Sequence, residues 1–328
     1  MTGAPDFGIL DILDILDRIR QKDRKGESSL KLLVIGSVNR DTVFEVEHIV
    51  HPGETLSVLD RKSAPGGKGL NQALSACRAG VETWFAGCIG PDGADLRGLL
   101  ERSGVHTAYL QTVAEATGQA LIQVDRRGEN CILVCDGANA SVTLPMASRV
   151  LDHFGAGDLL LLQNEIRDVP QILQEAQRRG LRVILNPSPF SPALRSVDLQ
   201  SLYGIILNET EAAAWADSDN PEDFLRLAER CPELHLVLTL GARGGLYRHR
   251  GQALRYPSYR VPVVDTTGAG DTFAGYFLAG LCRGEEPEAL LRTASLASAL
   301  AISQKGAASS IPERAAVEAA RGTIPENA

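Results

Sequence analysis

The chain of 328 residues has no apolar run approaching the roughly 20 residues that span a bilayer, so no helical membrane segment is expected. Its N-terminus does not read as a secretory leader. The first charge is Asp6, and apolar residues alternate with Asp11, Asp14 and Asp17. Cysteine is sparse: Cys77, Cys88, Cys131, Cys135, Cys231 and Cys282 are scattered, and no pair has Cys-x-x-Cys spacing. That pattern argues against a zinc or redox centre and for a reducing, cytoplasmic compartment. Cys131 and Cys135, four apart in an apolar run, share one strand face and read as small buried or half-buried thiols. A basic surplus is also missing. With 33 basic against 41 acidic residues the formal charge is -8, which disfavours nucleic acid as the main partner. Two glycine signatures are absent as well. There is no Gly-x4-Gly-Lys-Ser/Thr loop, and Gly36 does not open a Gly-x-Gly-x-x-Gly fingerprint, so neither a P-loop enzyme nor a nicotinamide oxidoreductase is expected.

What is present is an ordinary globular composition, 44% hydrophobic and 23% charged, with 32 glycines. Residues 7 to 20 place Ile9, Leu13, Leu16 and Ile19 at helical spacing. A polar break over 21 to 29 sets this extension (1–29) apart from the body (30–320). Docking of the helix on the body or a partner subunit, a regulatory remnant and disorder all remain open for it. Short apolar runs then recur at Lys31–Gly36, Trp84–Gly90, Leu159–Gln163, Val183–Asn186, Ile205–Asn208 and Leu236–Leu240. Most are separated by amphipathic stretches such as Leu70–Ala79, Val169–Arg178 and Glu222–Glu229. Continuous apolar strands alternating with helices predict a doubly wound α/β fold, its mostly parallel sheet covered by helices on both faces. Ligands of such sheets lie beyond the carboxyl ends of the strands. Segments 41–65 and 107–136 instead alternate apolar and polar residues, predicting hairpins that form a small β lid hinged near Gly66 and Gly67.

The stretch Asp265-Thr-Thr-Gly-Ala-Gly-Asp271 is expected to run from a strand end through a glycine turn into a helix. Gly268 and Gly270 would let successive N–H groups converge where the helix dipole is positive, an anion hole suited to a phosphoryl group in transfer. Asp271 lies where a carboxylate could take a proton from an attacking hydroxyl; a helix cap is the alternative. A second glycine turn, Pro65-Gly-Gly-Lys-Gly-Leu-Asn71, also enters a helix. With Asn39 and Asp41 at the first strand end, Asn71 completes an amide and carboxylate set suited to paired hydroxyls.

These motifs resemble the ribokinase-like (PfkB) carbohydrate kinases. Pro65-Gly-Gly-Lys-Gly-Leu-Asn-Gln-Ala73 is similar to the family's N-terminal signature, and Asp265-Thr-Thr-Gly-Ala-Gly-Asp-Thr-Phe273 to its C-terminal one. Asn208-Glu-Thr-Glu211 matches an Asn-x-x-Glu motif, and Thr239-Leu-Gly-Ala-Arg-Gly244 a nucleotide-side glycine loop. The resemblance implies transfer of the ATP γ-phosphoryl group to the 5-hydroxyl of a sugar, with D-ribose the expected acceptor. It implies that Asn39, Asp41, Gly67, Lys68, Asn71 and Glu165 hold the sugar, and that Asp271 is the base. The backbone of Gly268, Ala269, Gly270 and Asp271 would form the anion hole. Asn186, Asn208, Glu211, Thr239, Gly241, Gly244 and Gly270 fall on the nucleotide side, with Glu211 acting on Mg2+ through water. A potassium site is implied by Asp265 and Ser310 as side-chain ligands and Thr267, Ala301, Gln304 and Gly306 as carbonyl donors. Arg40 stands where the family commonly carries a small residue and would alter the pocket rim; Ser295 lies where Asn or His often stands near the adenine. Exposed lid edges, together with the resemblance, point to a homodimer. Deoxyribose, a ketohexose or a nucleoside as acceptor stays open, as does a non-catalytic sugar-binding regulator.

Overall fold

Leu32–Ile35 is buried at every position, as a strand covered on both faces must be. It opens the computed structural model, which describes residues 30–327. The expected helix over 7 to 20 lies outside the described residues. The chain runs β1 (Leu32–Ile35), β2 (Asn39–Glu45), β3 (Asp60–Gly66), α1 (Lys68–Arg78), β4 (Thr83–Ile89), α2 (Ala94–Arg102), β5 (His106–Thr112), β6 (Gly118–Val124) and β7 (Asn130–Cys135). It continues α3 (Leu144–Leu151), β8 (Leu159–Gln163), α4 (Val169–Arg178), β9 (Arg182–Asn186), β10 (Gly204–Asn208), α5 (Glu209–Trp215) and α6 (Pro221–Ala228). After β11 (His235–Thr239), β12 (Gly245–His249) and β13 (Gln252–Tyr256) come α7 (Ala269–Cys282), α8 (Pro287–Ile302) and α9 (Arg314–Ala320). No helix among the described residues is long and apolar enough to cross a membrane.

The nine-stranded main sheet has the order β13-β12-β11-β10-β9-β8-β1-β4-β5. All neighbours are parallel except β11–β12 and β12–β13. β1 lies between β4 and β8, so the winding reverses direction there. A crevice opens outside the carboxyl ends of strands at such a switch point. Asn39 follows β1 and Glu165 follows β8, so both face that crevice's mouth.

A separate four-stranded sheet, β3-β2-β6-β7, is the expected lid. Its boundaries differ from the sequence reading. His106–Thr112 pairs with β4 as the edge of the main sheet, and the lid's second segment starts at Gly118. The alternation misleads there because an edge strand is also half-buried: Thr107 and Leu110 face inward while His106 and Gln111 are exposed. Cys131 and Cys135 are exposed, contrary to expectation, because β7 is the outer strand of the lid and presents every residue to solvent.

One close contact aligns the two halves of the site. α1 and α7 pack so tightly that a Cβ on Gly275 would stand 2.3 Å from the Ser75 Cβ. Ser75 Oγ also donates to the Thr272 carbonyl at 2.8 Å. Small residues at the crossing therefore bring Asn71 and Gln72 of α1 level with Asp271 of α7.

Candidate active site

Asp271 is buried in the first turn of α7, not within the preceding turn as expected. Gly268 is the N-cap in the left-handed region at φ 77°, a conformation glycine adopts without the Cβ clash. Gly270 has no such need. It is helical, and a Cβ there would meet nothing within 4 Å, so its contribution is open space above the helix start rather than a bend. The segment before it is irregular rather than a strand end: the Val264 and Asp265 N–H groups both donate to the Ile302 carbonyl.

Both Asp271 carboxylate oxygens are engaged. Gln72 Nε2 donates to Oδ1 at 2.8 Å, and Asn71 Nδ2 donates to Oδ2 at 3.1 Å. Lys68 Nζ stands 4.0 Å from Oδ1. The Asp271 charge raises the Lys68 pKa against the opposing effect of burial, with Glu165 and Glu211 adding to it. Gln72 also donates to Asn186 Oδ1 at 2.9 Å and accepts from Gln163 Nε2 at 2.8 Å. This fully buried glutamine links β8, β9, α1 and α7 at the carboxylate. Sequence reasoning passed over it because Gln in an amphipathic helix ordinarily faces water. Its place beside Asn71 in the glycine motif was the only signal.

The predicted sugar-side residues converge. Glu165 Oε2 accepts from Ser37 Oγ at 2.5 Å and from the Lys68 N–H at 2.9 Å. Asn39 Oδ1 accepts from Asn139 at 2.7 Å, which ties the start of β2 to the body. Gly67, at φ 90°, turns the chain so close to β2 that a Cβ would lie 2.8 Å from the Asn39 nitrogen. Across the β2–β3 pair a Cβ on Gly66 would lie 2.1 Å from Asp41 Oδ2, so glycine leaves the room that carboxylate occupies. Burial, then the charges of Glu165 and Asp271, push the Asp41 pKa up to about 6. Asn71 Oδ1 is a buried acceptor without a partner. Arg40, next to Asp41 on the strand and therefore on the opposite sheet face, is turned to Asp95 at 2.6 Å and the Asp92 carbonyl at 2.9 Å. It braces the lid root rather than shaping the pocket rim.

Beyond the N-terminus of α7 lies a cavity of about 480 Å³, lined by Thr239, Gly241, Gly244, Ala269, Gly270 and Ser295 among others. Its apolar side, Tyr259, Val261, Val263 and Ile302, carries no motif and was not foreseen. Ser295 Oγ donates to the Pro257 carbonyl at 2.5 Å, so its hydroxyl hydrogen is already committed. Asn208 and Glu211 do not line this cavity. They form a reciprocal capping box on α5, Glu211 N–H to Asn208 Oδ1 at 2.9 Å and Asn208 N–H to Glu211 Oε2 at 3.0 Å. One Glu211 oxygen remains free of that box. Asn186 lies on the Asp271 side, donating to the Ile206 carbonyl at 2.8 Å.

Asp265 accepts from the Thr267 N–H and the Gly306 N–H, each at 2.9 Å. Burial would raise its pKa, but these hydrogen bonds and Lys305 outweigh that and hold it low. A Cβ on Gly268 would lie 3.0 Å from Ala307, so the 306–310 loop is packed directly behind the expected anion hole. Ser310 is buried in that loop, its hydroxyl donating to the Ala307 carbonyl at 3.0 Å. The Ala301 carbonyl receives the Gln304 N–H at 3.1 Å. Arg78 of α1, also unforeseen, donates to the Ala308 and Ile311 carbonyls at 2.9 and 2.7 Å.

Known proteins fit this geometry. The pattern described as pfkB family carbohydrate kinase matches residues 29–314. A ribokinase of Haemophilus influenzae is 35% identical over 295 residues, covering 86% of this chain and 95% of its own. A deoxyribokinase of Salmonella typhi is 31% identical over 297 residues, covering 86% and 96%. The structure of Arabidopsis thaliana ribokinase complexed with ribose and ATP superposes with a TM-score of 0.76 at 29% identity, covering 89% of this chain and 98% of that one. A match spanning both glycine motifs and nearly the whole length of each relative leaves one conclusion: the chain belongs to the pfkB family of carbohydrate kinases.

Proposed function

We propose that the chain transfers the γ-phosphoryl group of ATP to the 5-hydroxyl of D-ribose, with Asp271 as the base. One observation carries this reading. The buried Asp271 carboxylate is oriented by Asn71 and Gln72 from the hydroxyl-binding side, while its own helix begins at the mouth of the 480 Å³ cavity. Asp41, Glu165 and the free Asn71 Oδ1 would accept from the sugar hydroxyls, fixing the ring so that its 5-hydroxyl faces Asp271. Asp271 takes the hydroxyl proton as the oxygen attacks, and Lys68 balances the local negative charge. The N–H groups of Gly268, Gly270 and Asp271 at the helix start, beside that of Ala269, which bonds the Thr266 carbonyl at 3.3 Å, would meet the charge spread over the transferring phosphoryl oxygens. The two relatives bound to ribose and ATP or named for ribose phosphorylation support this assignment.

The free Glu211 oxygen suits a water of the Mg2+ shell, and the ion would supply positive charge to offset that of the phosphates. The oxygen-only set of Asp265, Ser310 and the carbonyls of Thr267, Ala301, Gln304 and Gly306 suits a hard monovalent cation, which would add positive field behind the hole. Exchanging K+ for choline is then expected to lower turnover roughly tenfold or more and to lower the melting temperature. Identical rates and melting in both salts would remove the cation from this reading. The exposed Ile132, Leu133 and Val134 of β7 are where we place a second copy, and six free cysteines support a reducing compartment.

Asp41 makes the reaction pH-dependent. Its pKa near 6 belongs to the sugar-free protein, and hydroxyl donors favour the carboxylate. Ribose affinity by calorimetry should therefore fall as pH drops below about 6, with kcat at saturating ribose less affected. An affinity constant from pH 5 to 8 would contradict the role of Asp41. The chemistry is tested by NMR of the product: phosphorus coupled to the C5 methylene protons is expected, and coupling to the C1 proton overturns the regiochemistry.

A further inference from the structure

We infer that the lid loop after β2 carries a separate, non-catalytic metal site for a borderline divalent ion of the Zn2+ type, built from His48, His51 and Glu54. His48 Nε2 lies 2.8 and 3.0 Å from the two Glu54 oxygens, and His51 Nδ1 lies 3.4 Å from Oε2. One ligand atom from each of the three falls within 4.8 Å of the others, and among the described residues this is the one such group of histidine, cysteine, aspartate or glutamate. The spacing is close to what two ligands of a tetrahedral ion require, since bonds of about 2.0–2.2 Å place donor atoms roughly 3.3 Å apart.

Several features favour a site over a surface ion pair. The Glu54 carboxylate is held in place from behind, because Oε2 also accepts the His51 backbone N–H at 3.0 Å and the Glu54 N–H returns to the His51 carbonyl at 3.1 Å. The turn thus presents both imidazoles and the carboxylate before any ion arrives. These side chains are 42%, 73% and 31% exposed, so their hydrogen bonds contribute little to folding and the arrangement is not explained by stability. A cavity of about 380 Å³ adjoins the two histidines, with Asp125, Glu129 and Cys131 on its far wall, which leaves room for water in the remaining coordination positions. Two imidazoles and one carboxylate select zinc, nickel, copper or cobalt over Mg2+, which prefers oxygen alone. The other close histidine pair, His235 and His249, is spent internally: the rings stack at 3.6 Å and His235 Nδ1 bonds Tyr247 at 2.7 Å.

The test is a Co2+ titration of the full chain in excess Mg2+, followed by absorption. One ion should bind with a visible spectrum lacking a thiolate charge-transfer band, and His48→Gln/His51→Gln should weaken binding at least ~10-fold. Zn2+ should raise the melting temperature of the wild type and not of the variant. The variant's own cooperative melting without metal checks that it folds; if it does not, His48→Gln alone must show the weakening. Undiminished affinity in the histidine variants, or binding removed instead by Cys131→Ser/Cys135→Ser, overturns the site.

Discussion

Asp271→Asn lowers kcat by at least ~10²-fold while the affinities for ribose and ATP stay within a few-fold of wild type. Asparagine keeps the shape of the side chain and loses only the capacity to take the proton. The surroundings tolerate it: Oδ1 still accepts from Gln72, and Asn71 can turn its Oδ1 to the new amide and its Nδ2 to the sugar hydroxyls, which accept as well as donate. The anion hole is untouched, since its donors are backbone N–H groups. Rates from steady-state assays, set beside calorimetric binding of each substrate, separate this from a capping role. A residue that merely anchored α7 would, when replaced, lower melting temperature and both affinities and leave kcat near normal. Unchanged turnover in the variant would end the assignment of Asp271 as the base.

Asp41→Ala raises the KM for ribose by about 10²-fold and moves the preference towards 2-deoxyribose. A hydrogen bond to a charged group is worth about 1.5–3 kcal/mol, and two such bonds to vicinal hydroxyls together approach a hundredfold in affinity. Deoxyribose offers one of those hydroxyls, so the same substitution costs it only about tenfold and the selectivity narrows. The ligand-free fold responds in the opposite direction. Asp41 has a folded pKa of about 6, above the usual carboxylate value, so the folded state holds the extra proton between about 4 and 6 and stability falls as pH rises through that window. At neutral pH the buried charge is therefore a strain on the empty site, and Asp41→Asn should melt higher than wild type without sugar. Loss of affinity together with a gain in stability is the signature of a binding group. A parallel loss of both would mark Asp41 as structural.

Much of this architecture was legible in the residues, for physical reasons that differ by element. Runs such as Leu159–Gln163 announce a strand buried on both faces because nothing but continuous apolar side chains survives there. The glycine turns were legible because they place N–H donors at helix starts, and the gathering of Asp41, Asn71 and Asp271 because polar groups at the strand and helix ends of a doubly wound fold meet at one crevice. The lid was visible as alternation, but its second boundary was not: β5 is half-buried at the edge of the main sheet and alternates for the same reason the lid strands do. Gln72 and Arg78 were illegible because their roles exist only across the α1–α7 and α1–loop contacts, some two hundred residues apart in sequence. The apolar wall of Tyr259, Val261, Val263 and Ile302 was hidden differently, since an apolar cavity lining uses the same residue types as core. Gly270 was legible as important and misread as a bend, its helical backbone and empty surroundings giving it the role of leaving room.

The acceptor sugar divides the relatives, since a ribokinase and a deoxyribokinase resemble this chain almost equally, at 35% and 31% identity. A side-by-side determination of kcat/KM for D-ribose, 2-deoxyribose, fructose and a nucleoside, with Mg2+, ATP and K+ present, addresses it directly. The Asp41 geometry predicts that ribose leads 2-deoxyribose by about tenfold or more and that the others lie well below both. Equal or greater kcat/KM on 2-deoxyribose, or turnover confined to the nucleoside, would contradict the assignment of ribose as the acceptor.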